Sequence, residues 1–393
     1  MYDTITLISP EIPDSVVQEV LQFCRSFEGV DIFTGELLYS FTSGELEGSY
    51  DYRIRVKVDN SKWVREEMQT PQRIESYWHL EVECSLHKLM MAHNCWGGPD
   101  KILPAVQYLV KFLEHSMLVS LPSAEDWEVK RIDVSKIYIF KNKDICKRIV
   151  SNLRNAYYTR RKPFIYDTSI QFPGTTTTTK FYWKGPEFKV HDHKRFLKYI
   201  RREVDKSFSD EKDGDLKRHK LAMLQMSFDR VLERAMRILR FECEIKTKKL
   251  RDFFQKDEVL VRDLDDLSLH TIMNEELRKI MKEDDNMEQD VVRRSDLVLE
   301  RLHIVYGSAQ ANSLYCTWTK LVQFGEERTK ETMAKRTFYL HKKQLVEAGI
   351  SWFCSIVNLK PLSIVPEDFS FTSDKYVDNS VDTEVLKALE SVA

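Results

Sequence analysis

The segment Tyr182-x-Lys184-x-x-Glu187 combines residue types that can attack a phosphodiester. Tyr182 and Lys184 are two positions apart in a predicted strand, so their side chains share one face. A lysine beside a tyrosine favours the phenolate, whose unperturbed pKa is about 10. A tyrosine nucleophile conserves the energy of the broken bond in a covalent ester, which a DNA hydroxyl can later attack. An ordinary strand with packed aromatic side chains is the alternative, and the segment alone leaves it open.

Charged residues recur on three other predicted strands. They occupy alternate positions, which places them on one face of each strand. The three sets are Glu81 and Glu83, Arg131 and Asp133, and Arg240, Glu242 and Glu244. If these strands belong to one sheet, that face collects oxygen ligands suited to a hard divalent cation. Solvated faces or ion pairs are the alternative.

The charge distribution points to an anionic partner. The chain of 393 residues has a formal net charge of −2, which taken alone argues against nucleic acid. Residues 130–206, however, contain 20 Lys and Arg against 7 Asp and Glu, a net charge of +13, so the remaining chain carries −15. A basic segment of this kind is the usual electrostatic footprint of a phosphate-backbone partner.

Composition excludes several classes of protein. With 12 Gly, 11 Pro and 11% aromatic residues, the chain is neither collagen-like nor wholly disordered. Its seven cysteines form no Cys-x-x-Cys pair, which favours free thiols in a reducing compartment. No apolar run approaches the ~20 residues of a membrane span, and the first residues do not resemble a signal peptide. We therefore expect a cytoplasmic protein without a membrane partner.

Hydrophobic periodicity predicts the elements that hold these residues. Alternation predicts strands at 52–58, 78–84, 129–140, 180–184 and 239–246. Wider apolar spacing predicts helices at 15–27, 104–120, 145–157, 196–202 and 215–237, and a helical pattern throughout after about residue 250. The predicted fold class is α+β, with a mixed or antiparallel sheet and flanking helices in a catalytic domain at 1–250. A mostly helical domain at 251–375 and a loose tail at 376–393 follow.

Four ordered blocks resemble the gene II/X replication initiators of filamentous phages and related rolling-circle plasmids. Together they cover residues 80–250 well, and their order and spacing are more specific than any one block. The first two blocks are Glu81-x-x-x-Ser85-x-x-Lys88 with His93-Asn94 and Gly97, and Arg131-Ile132-Asp133 with Leu153-Arg154-Asn155. The other two are Tyr182-x-Lys184-x-x-Glu187-Phe188, and Leu239-Arg240-Phe241-Glu242 with Ile245-Lys246-Thr247 and Leu250.

The resemblance implies a metal-dependent endonuclease that nicks and rejoins one strand at a double-stranded origin. In such families a tyrosine becomes attached to the 5′-phosphate, and the free 3′-OH primes rolling-circle synthesis. The nucleophile corresponds to Tyr182, and Lys184 would position the phosphate or stabilise the phenolate. Gly185-Pro186 would break the strand and turn Glu187 towards Tyr182. The expected ligands of Mg²⁺ or Mn²⁺, in order of preference, are Glu81, Asp133, Glu242 and Glu187.

Further residues are expected to contact double-stranded origin DNA or the single strand that it releases. The expected DNA-binding residues are Lys88, His93, Asn94, Arg131, Arg148, Arg154, Arg160, Arg161 and Arg240. Tyr157, Tyr158 and Trp183 could stack on unpaired bases, with packing as the alternative. The sequence His191-Asp192-His193 looks like the paired metal-binding histidines of rolling-circle nucleases. Its central Asp and the adjacent Lys194-Arg195 favour a solvated or DNA-facing loop instead.

The C-terminal part offers a possible second DNA contact. Residues 332–348 predict an amphipathic helix with a basic face, which could be a recognition helix with 318–324 as its partner. A plain surface helix is the alternative. No GxxxxGK[ST] phosphate loop occurs in the chain, so strand separation implies a host helicase.

Two other functions remain open. One is a relaxase or transposase that applies the same tyrosine chemistry to a different DNA. The other is a non-enzymatic origin-binding regulator, which would bind DNA without cleaving it and would not respond to EDTA.

Overall fold

The computed structural model describes residues 1–48, 52–60, 62–65, 72–75, 77–91, 93–154, 156, 158, 160–207, 214–281, 295–352, 366, 368–371 and 373–378. Within these residues, a large antiparallel sheet carries helices on both faces and is followed by a helical cluster. The predicted α+β fold class is confirmed. None of the described helices is long and apolar enough to cross a membrane.

The strands match the predicted alternation closely in the regions that hold the charged residues. Their bounds are β1 Tyr2–Ile8, β2 Cys24–Val30, β3 Leu37–Glu47, β4 Arg53–Asp59, β5 Lys62–Arg65, β6 Gln72–Glu75, β7 His79–Ser85, β8 Glu128–Ile139, β9 Phe164–Ile165, β10 Ser169–Phe172, β11 Thr177–Trp183 and β12 Ile238–Lys246.

The helices are mostly amphipathic and follow the predicted spacing. Their bounds are α1 Asp14–Leu21, α2 Leu86–Met91, α3 Ile102–Met117, α4 Lys143–Leu153, α5 Lys184–Phe188, α6 Lys194–Ser207, α7 Gly214–Ala235, α8 Thr247–Phe254, α9 Asp266–Met281, α10 Ser295–Tyr306, α11 Ser308–Glu331 and α12 Lys335–Glu347. The helix predicted at 15–27 is wrong in its second half. It ends at Leu21, and the edge strand β2 begins at Cys24.

Ten of the described strands form one sheet in the order β2-β3-β4-β7-β1-β8-β12-β11-β10-β9. Strand β12 pairs along its full length with β8 at the centre of the sheet, from Ile238 opposite Ile139 to Lys246 opposite Arg131. Strand β11 pairs with the other edge of β12, so Lys180 lies opposite Glu242. The charged strands predicted from the sequence therefore share one sheet.

The two faces of this sheet differ in character. On one face, alternate residues such as Val134, Phe181 and Phe241 enter the main hydrophobic core. Buried residues of the helices α1, α3, α4 and α9 belong to the same core. We call this side the apolar face. The intervening residues of the same strands lie on the opposite side, which we call the polar face.

The helices α5 to α7 cover one end of the polar face. Phe188, Phe228 and Val231 form a second apolar cluster with Ile137 and Ile238 of the sheet. The rest of the polar face carries charged side chains. The register shows this across four strands, where Arg55 lies opposite Glu83, Glu83 opposite Thr6 and Thr6 opposite Arg131.

The C-terminal residues form a separate apolar cluster and then return to the sheet. Trp318 of α11 packs there with Phe338 and Leu345 of α12. Two of the basic α12 side chains expected to face DNA make contacts within this cluster. His341 Nδ1 lies 2.7 Å from Thr317 Oγ1, and Lys342 pairs with Glu326 at 2.6 Å. A DNA-reading role for α12 stays a prediction.

Residues 368–371 and 373–378 form a strap on the apolar face. The rings of Phe369 and Phe371 pack at right angles to Tyr138 of β8, whose hydroxyl donates to the Phe371 carbonyl at 2.7 Å. The Ile139 amide donates to the Tyr376 carbonyl at 2.9 Å. Helix α9 also packs in the sheet core. The domain limits predicted at 250 and 375 stay predictions, and residues 379–393 of the predicted tail lie outside the described residues.

Candidate functional site

A cavity of about 570 Å³ opens on the polar face, near the centre of the sheet. It brings together seven residues predicted from four separate parts of the sequence. These are Lys88, Asn94, Arg131, Asp133, Tyr182, Glu187 and Glu242. Asp3, Tyr52, Ser85, Lys180 and His191 also line it.

Strand β11 presents Tyr182 to this cavity. Its residues alternate, so Thr179 and Phe181 are buried towards the apolar face while Lys180 and Tyr182 turn to the polar face. The Tyr182 hydroxyl donates a hydrogen bond to Glu242 Oε2 at 2.9 Å.

The electrostatics of this pair favour a neutral phenol beside an ionised carboxylate. Burial, opposed by Arg240 and reinforced by Glu242, raises the pKa of Tyr182 well above its ordinary value. Burial also opposes the charge on Glu242, but Lys180 and Arg240 together lower its pKa below the usual range. The hydrogen bond from the Tyr182 hydroxyl places Glu242 in direct contact with the tyrosine proton, which is the arrangement required of a nucleophile and its general base.

A buried ion pair between Arg240 and Asp3 lies beside the Tyr182–Glu242 hydrogen bond. The Arg240 guanidinium is fully buried, donates to Asp3 Oδ2 at 2.5 Å and to the Asn94 carbonyl, and lies 3.7 Å from Glu242. Asp3 also accepts from the side chains of Ser85 and Asn94. Burial opposes the charge of Asp3, yet Arg240, the largest favourable influence, helps to hold its pKa well below the usual range. Arg240 therefore keeps both carboxylates ionised.

Asp133 lies on the adjacent strand β8, beside Arg131. The Arg131 guanidinium donates two hydrogen bonds to its carboxylate, at 2.8 and 2.7 Å. Burial, and to a smaller extent the charge of Glu242, raises the pKa of Asp133 to about 7 against the opposing effect of Arg131. Asp133 and Glu242 are therefore close enough to repel each other electrostatically.

The turn from β11 into α5 positions Glu187. Pro186 lies in the first turn of the helix, where its missing N–H is not needed. A Cβ on Gly185 would lie 2.5 Å from Met236 Sδ, so glycine allows the helix to approach this closely. Because the helix begins at Lys184, Glu187 turns to the cavity and pairs with Lys184, as expected from Gly185-Pro186.

Lys184 occupies a different position from the predicted one. It is fully buried, and its ammonium donates to Asn94 Oδ1 and to Glu187. It lies 5.8 Å from the ring centroid of Tyr182 and does not line the cavity. The prediction of a phosphate contact is therefore corrected, because Lys184 secures α5 from inside. Lys180 lines the cavity instead and lies 3.5 Å from Glu242.

The sequence His191-Asp192-His193 is helical rather than a loop. Asp192 is buried and accepts from Lys88 Nζ at 2.8 Å. His191 is exposed and lines the cavity, while the His193 ring packs near Phe188. The two histidines have different surroundings and do not form a pair.

Burial corrects two of the predicted DNA contacts near the cavity. His93 is only 1% exposed and packs against Trp96, with ring centroids 4.7 Å apart. Arg240 is fully buried in its pair with Asp3. Neither side chain has a surface that DNA can reach. Asn94 reaches the cavity but is itself largely buried in the same hydrogen-bond network.

The arginines that precede β11 do not reach the cavity. Arg148 belongs to helix α4, whose buried residues pack into the core on the apolar face. Arg154 contacts Asp167, and Arg160 is exposed in the following loop. Arg161 donates to Thr177 Oγ1 at 2.7 Å and is largely buried. These four residues therefore do not line the cavity that holds Tyr182, and a contact between them and DNA stays a prediction. Asn155 and Tyr157 lie outside the described residues.

Glu81 is also separated from the other proposed metal ligands. In the register of β1 and β7, Ser85 lies opposite Thr4 and Glu81 opposite Ile8. Glu81 is therefore four residues, roughly 13 Å, along β7 from the cavity-lining Ser85.

Sequence reasoning missed Asp3 and Lys180. Lys180 had the same signal as Tyr182, because two residues apart on a strand means one face. Asp3 belongs to no motif, and only its position in a buried strand marks it.

The carboxylates that line the cavity are candidate ligands of a divalent metal ion. Among the described residues, no three His, Cys, Asp or Glu side chains converge as a metal centre. Asp133 and Glu242 nevertheless line one cavity and repel each other. Mg²⁺ is commonly held by one or two carboxylates, with substrate phosphates and water completing its ligands. The pair fits this open kind of site and does not fit a closed protein cage.

Comparison with known proteins gives one match. A family model for the N-terminal part of a phage replication-associated protein, the gene II protein, matches residues 1–274. This range contains the whole sheet and all the residues that line the cavity. No curated protein and no solved structure matches the chain.

Proposed function

The chain belongs to the gene II family of phage replication-associated proteins and is a replication initiator that acts on DNA, and we propose that it nicks and rejoins one strand of its origin through Tyr182. The observation that carries the proposal is the hydrogen bond from the Tyr182 hydroxyl to Glu242 in an open cavity. A phenol in contact with an ionised carboxylate can lose its proton at the moment of attack.

In the proposed nicking step, the Tyr182 oxygen attacks the scissile phosphorus and its proton passes to Glu242. The bond from phosphorus to the 3′ oxygen breaks, and that oxygen leaves as a hydroxyl with a proton from water. The 5′-phosphate is then esterified to the tyrosine. Closure is the reverse: a 3′-OH attacks the phosphotyrosine and returns its proton to solvent, the bond from phosphorus to the tyrosine oxygen breaks, and the phenol regains its proton from Glu242. The bond energy is conserved throughout.

Three cationic side chains line the cavity to which a phosphate would bind. Lys88, Arg131 and Lys180 line the cavity, and each also contacts a carboxylate there or at its rim. Their charges compensate the negative charge of a bound phosphate. A divalent ion such as Mg²⁺ or Mn²⁺, held by Asp133 and Glu242, would supply Lewis acidity to the phosphoryl oxygens. A host helicase that separates the strands after the nick is part of the same proposal.

The test is covalent capture of the protein on a supercoiled plasmid that carries the cognate origin, with Mg²⁺ or Mn²⁺ present. We expect a nicked plasmid and a DNA-linked peptide that contains Tyr182. Tyr182→Phe should abolish both the nick and the adduct, because the nucleophilic oxygen is absent.

Tyr158→Phe is the matched control, because the Tyr158 hydroxyl also donates to a buried glutamate, Glu276, at 2.7 Å. It should form the adduct at the wild-type level. An adduct that persists in Tyr182→Phe would refute the assignment of the nucleophile. Loss of nicking on EDTA treatment would support the metal requirement. A chain that binds origin DNA but cleaves it under no condition would instead be a regulator.

A further inference from the structure

A second cavity, of about 690 Å³, lies over the strands β2, β3 and β4. It is lined by aromatic and basic side chains together with small and acidic ones. The lining residues are Phe23, Arg25, Phe27, Phe41, Ser43, Gly44, Glu45, Arg53 and Arg55. We call this surface the β2–β4 platform.

The platform lies on the same face of the sheet as Tyr182. Residues directly opposite each other in paired strands share a face, and Arg55 lies opposite both Glu45 and Glu83. The chain of cross-strand pairs continues from Glu83 through Thr6 to Arg131, which lines the first cavity. Tyr52, which lines the first cavity, and Arg53, which lines the second, are adjacent in the chain.

Exposed aromatic rings lie on this part of the polar face. Phe27 and Phe41 lie opposite each other on β2 and β3, with ring centroids 5.2 Å apart and nearly parallel planes. Phe27 is 46% exposed and Phe23 is 43% exposed. Phenylalanine rings grouped in a surface cavity are characteristic of a binding site.

Guanidinium groups flank these rings. Arg25 and Arg55 are both exposed, and neither forms an ion pair with another residue in the described part of the chain. Arg53 pairs with Glu47 at 2.9 Å. The lining residues include three arginines and one glutamate, which gives the cavity a positive charge.

We propose that the β2–β4 platform binds single-stranded DNA. Unpaired bases stack on the rings of Phe27 and Phe41, while Arg25 and Arg55 contact the phosphates on either side. Single strands present their base faces, whereas the bases of a duplex are already stacked on one another, so exposed rings select the unpaired strand. The platform extends the proposed function, because it would hold the strand that opens beside the nick.

The test measures binding without cleavage, in the full-length chain with Tyr182→Phe as background. The probe is a fluorescein-labelled 20-nucleotide oligo(dT), and the readout is fluorescence anisotropy over a series of salt concentrations. Adding Phe27→Ala should weaken binding about tenfold, the order that the loss of one stacked base produces. The salt dependence should not change, because no charge is removed.

Phe324→Ala is the matched control, since Phe324 is also 46% exposed but lies on α11. It should bind the probe as the parent does. Arg55→Gln should lower the slope of log affinity against log salt by about 0.7, as expected for one phosphate contact on a single strand. An oligonucleotide of abasic sites should bind the parent and Phe27→Ala equally, because it offers no base to stack.

Unchanged oligo(dT) binding by Phe27→Ala would overturn the proposal. If Phe27→Ala lost self-association but kept its DNA binding, the proposal would also be overturned, because the platform would then join two copies of the chain. These results are independent of the adduct test. A chain that forms no adduct can still show the Phe27 effect, and in that case only the nicking function fails.

Discussion

Two tyrosine–glutamate pairs on opposite faces of the sheet have similar chemistry and different surroundings. Tyr182 donates to Glu242 at 2.9 Å on the polar face, and Tyr158 donates to Glu276 at 2.7 Å on the apolar face. Each pair has an arginine near its ring, Arg240 at 6.0 Å from the Tyr182 centroid and Arg161 at 4.0 Å from that of Tyr158.

The difference lies in how completely each glutamate is satisfied. Glu276 accepts from Tyr158, Thr177, Arg161 and Lys279, all at 3.2 Å or less, and joins β11 to α9 inside the core. The cations nearest to Glu242 are 3.5 and 3.7 Å away, and Glu242 lines an open cavity. A tyrosine–glutamate hydrogen bond is therefore a candidate active site only where solvent and substrate can reach it.

The largest expected effect comes from removing Glu242, the proposed general base. Glu242→Gln should slow adduct formation by about 10²- to 10⁴-fold, because the neutral amide cannot take the tyrosine proton. Single-turnover nicking of the origin plasmid measures this rate. Glu276→Gln should leave the rate per folded molecule unchanged, and an equal slowing in both variants would remove the distinction between the two pairs.

The next largest effect is a difference in stability between variants of Arg240 and Arg161. Arg240→Met should lower the free energy of unfolding by about 3–5 kcal/mol, because it leaves Asp3 buried without its charge partner. Arg161→Met should cost about 1–2 kcal/mol, since Glu276 keeps three other donors. Urea unfolding measures both. Adding Asp3→Asn to Arg240→Met should recover much of the loss, and no recovery would mean that the ion pair is not the cause.

Tyr158→Phe should have a smaller effect still. It removes one hydrogen bond to a glutamate that retains its other donors, so unfolding should become easier by about 1 kcal/mol. The same variant keeps its cleavage activity, as measured by adduct yield at a temperature where it is fully folded. If the fully folded variant lost cleavage activity, Tyr158 would take part in the reaction. The proposed difference between the Tyr182 pair and the Tyr158 pair would then be wrong.

The smallest effect is the contribution that His270, on the apolar side, makes to the pH dependence of stability. Burial, and then the N-terminal ammonium, lowers the pKa of His270 on α9 to about 4. The unfolded chain takes up this proton near pH 6.5, so the contribution of His270 to stability should fall as pH decreases from about 6.5 to 4. His270→Gln should reduce that fall by about 1 kcal/mol, because solvent screens part of the effect. Thermal unfolding at several pH values measures it, and an unchanged pH profile would contradict the assignment to His270.

Local alternation predicted much of the polar face. Asp133, Tyr182 and Glu242 were placed on strand faces from residue parity, and the sheet confirms their strands and their convergence. Parity depends only on neighbouring residues, so it can be read without knowing how strands pair. Lys180 follows from the same rule and could have been predicted.

Other features depend on contacts between distant segments. The strand β11 ends at Trp183 because α5 packs tightly on Met236, which removes Lys184 from the face of Tyr182. The location of Arg148 depends on which side of the sheet α4 covers. The amphipathic spacing of α4 does not indicate that side. Asp3 and Arg240 are 237 residues apart, so no local pattern could pair them.

The strap on the apolar face has a consequence for synthesis of the protein. Tyr138 lies on the central strand β8, yet Phe369 and Phe371 cover it from the far end of the chain. A ribosome must therefore translate more than 230 further residues before this part of the core can close. A chain that has not yet reached Phe369 would leave the Tyr138 part of the apolar face without this cover, so this part of the core can close only after residues 369–371 have been made.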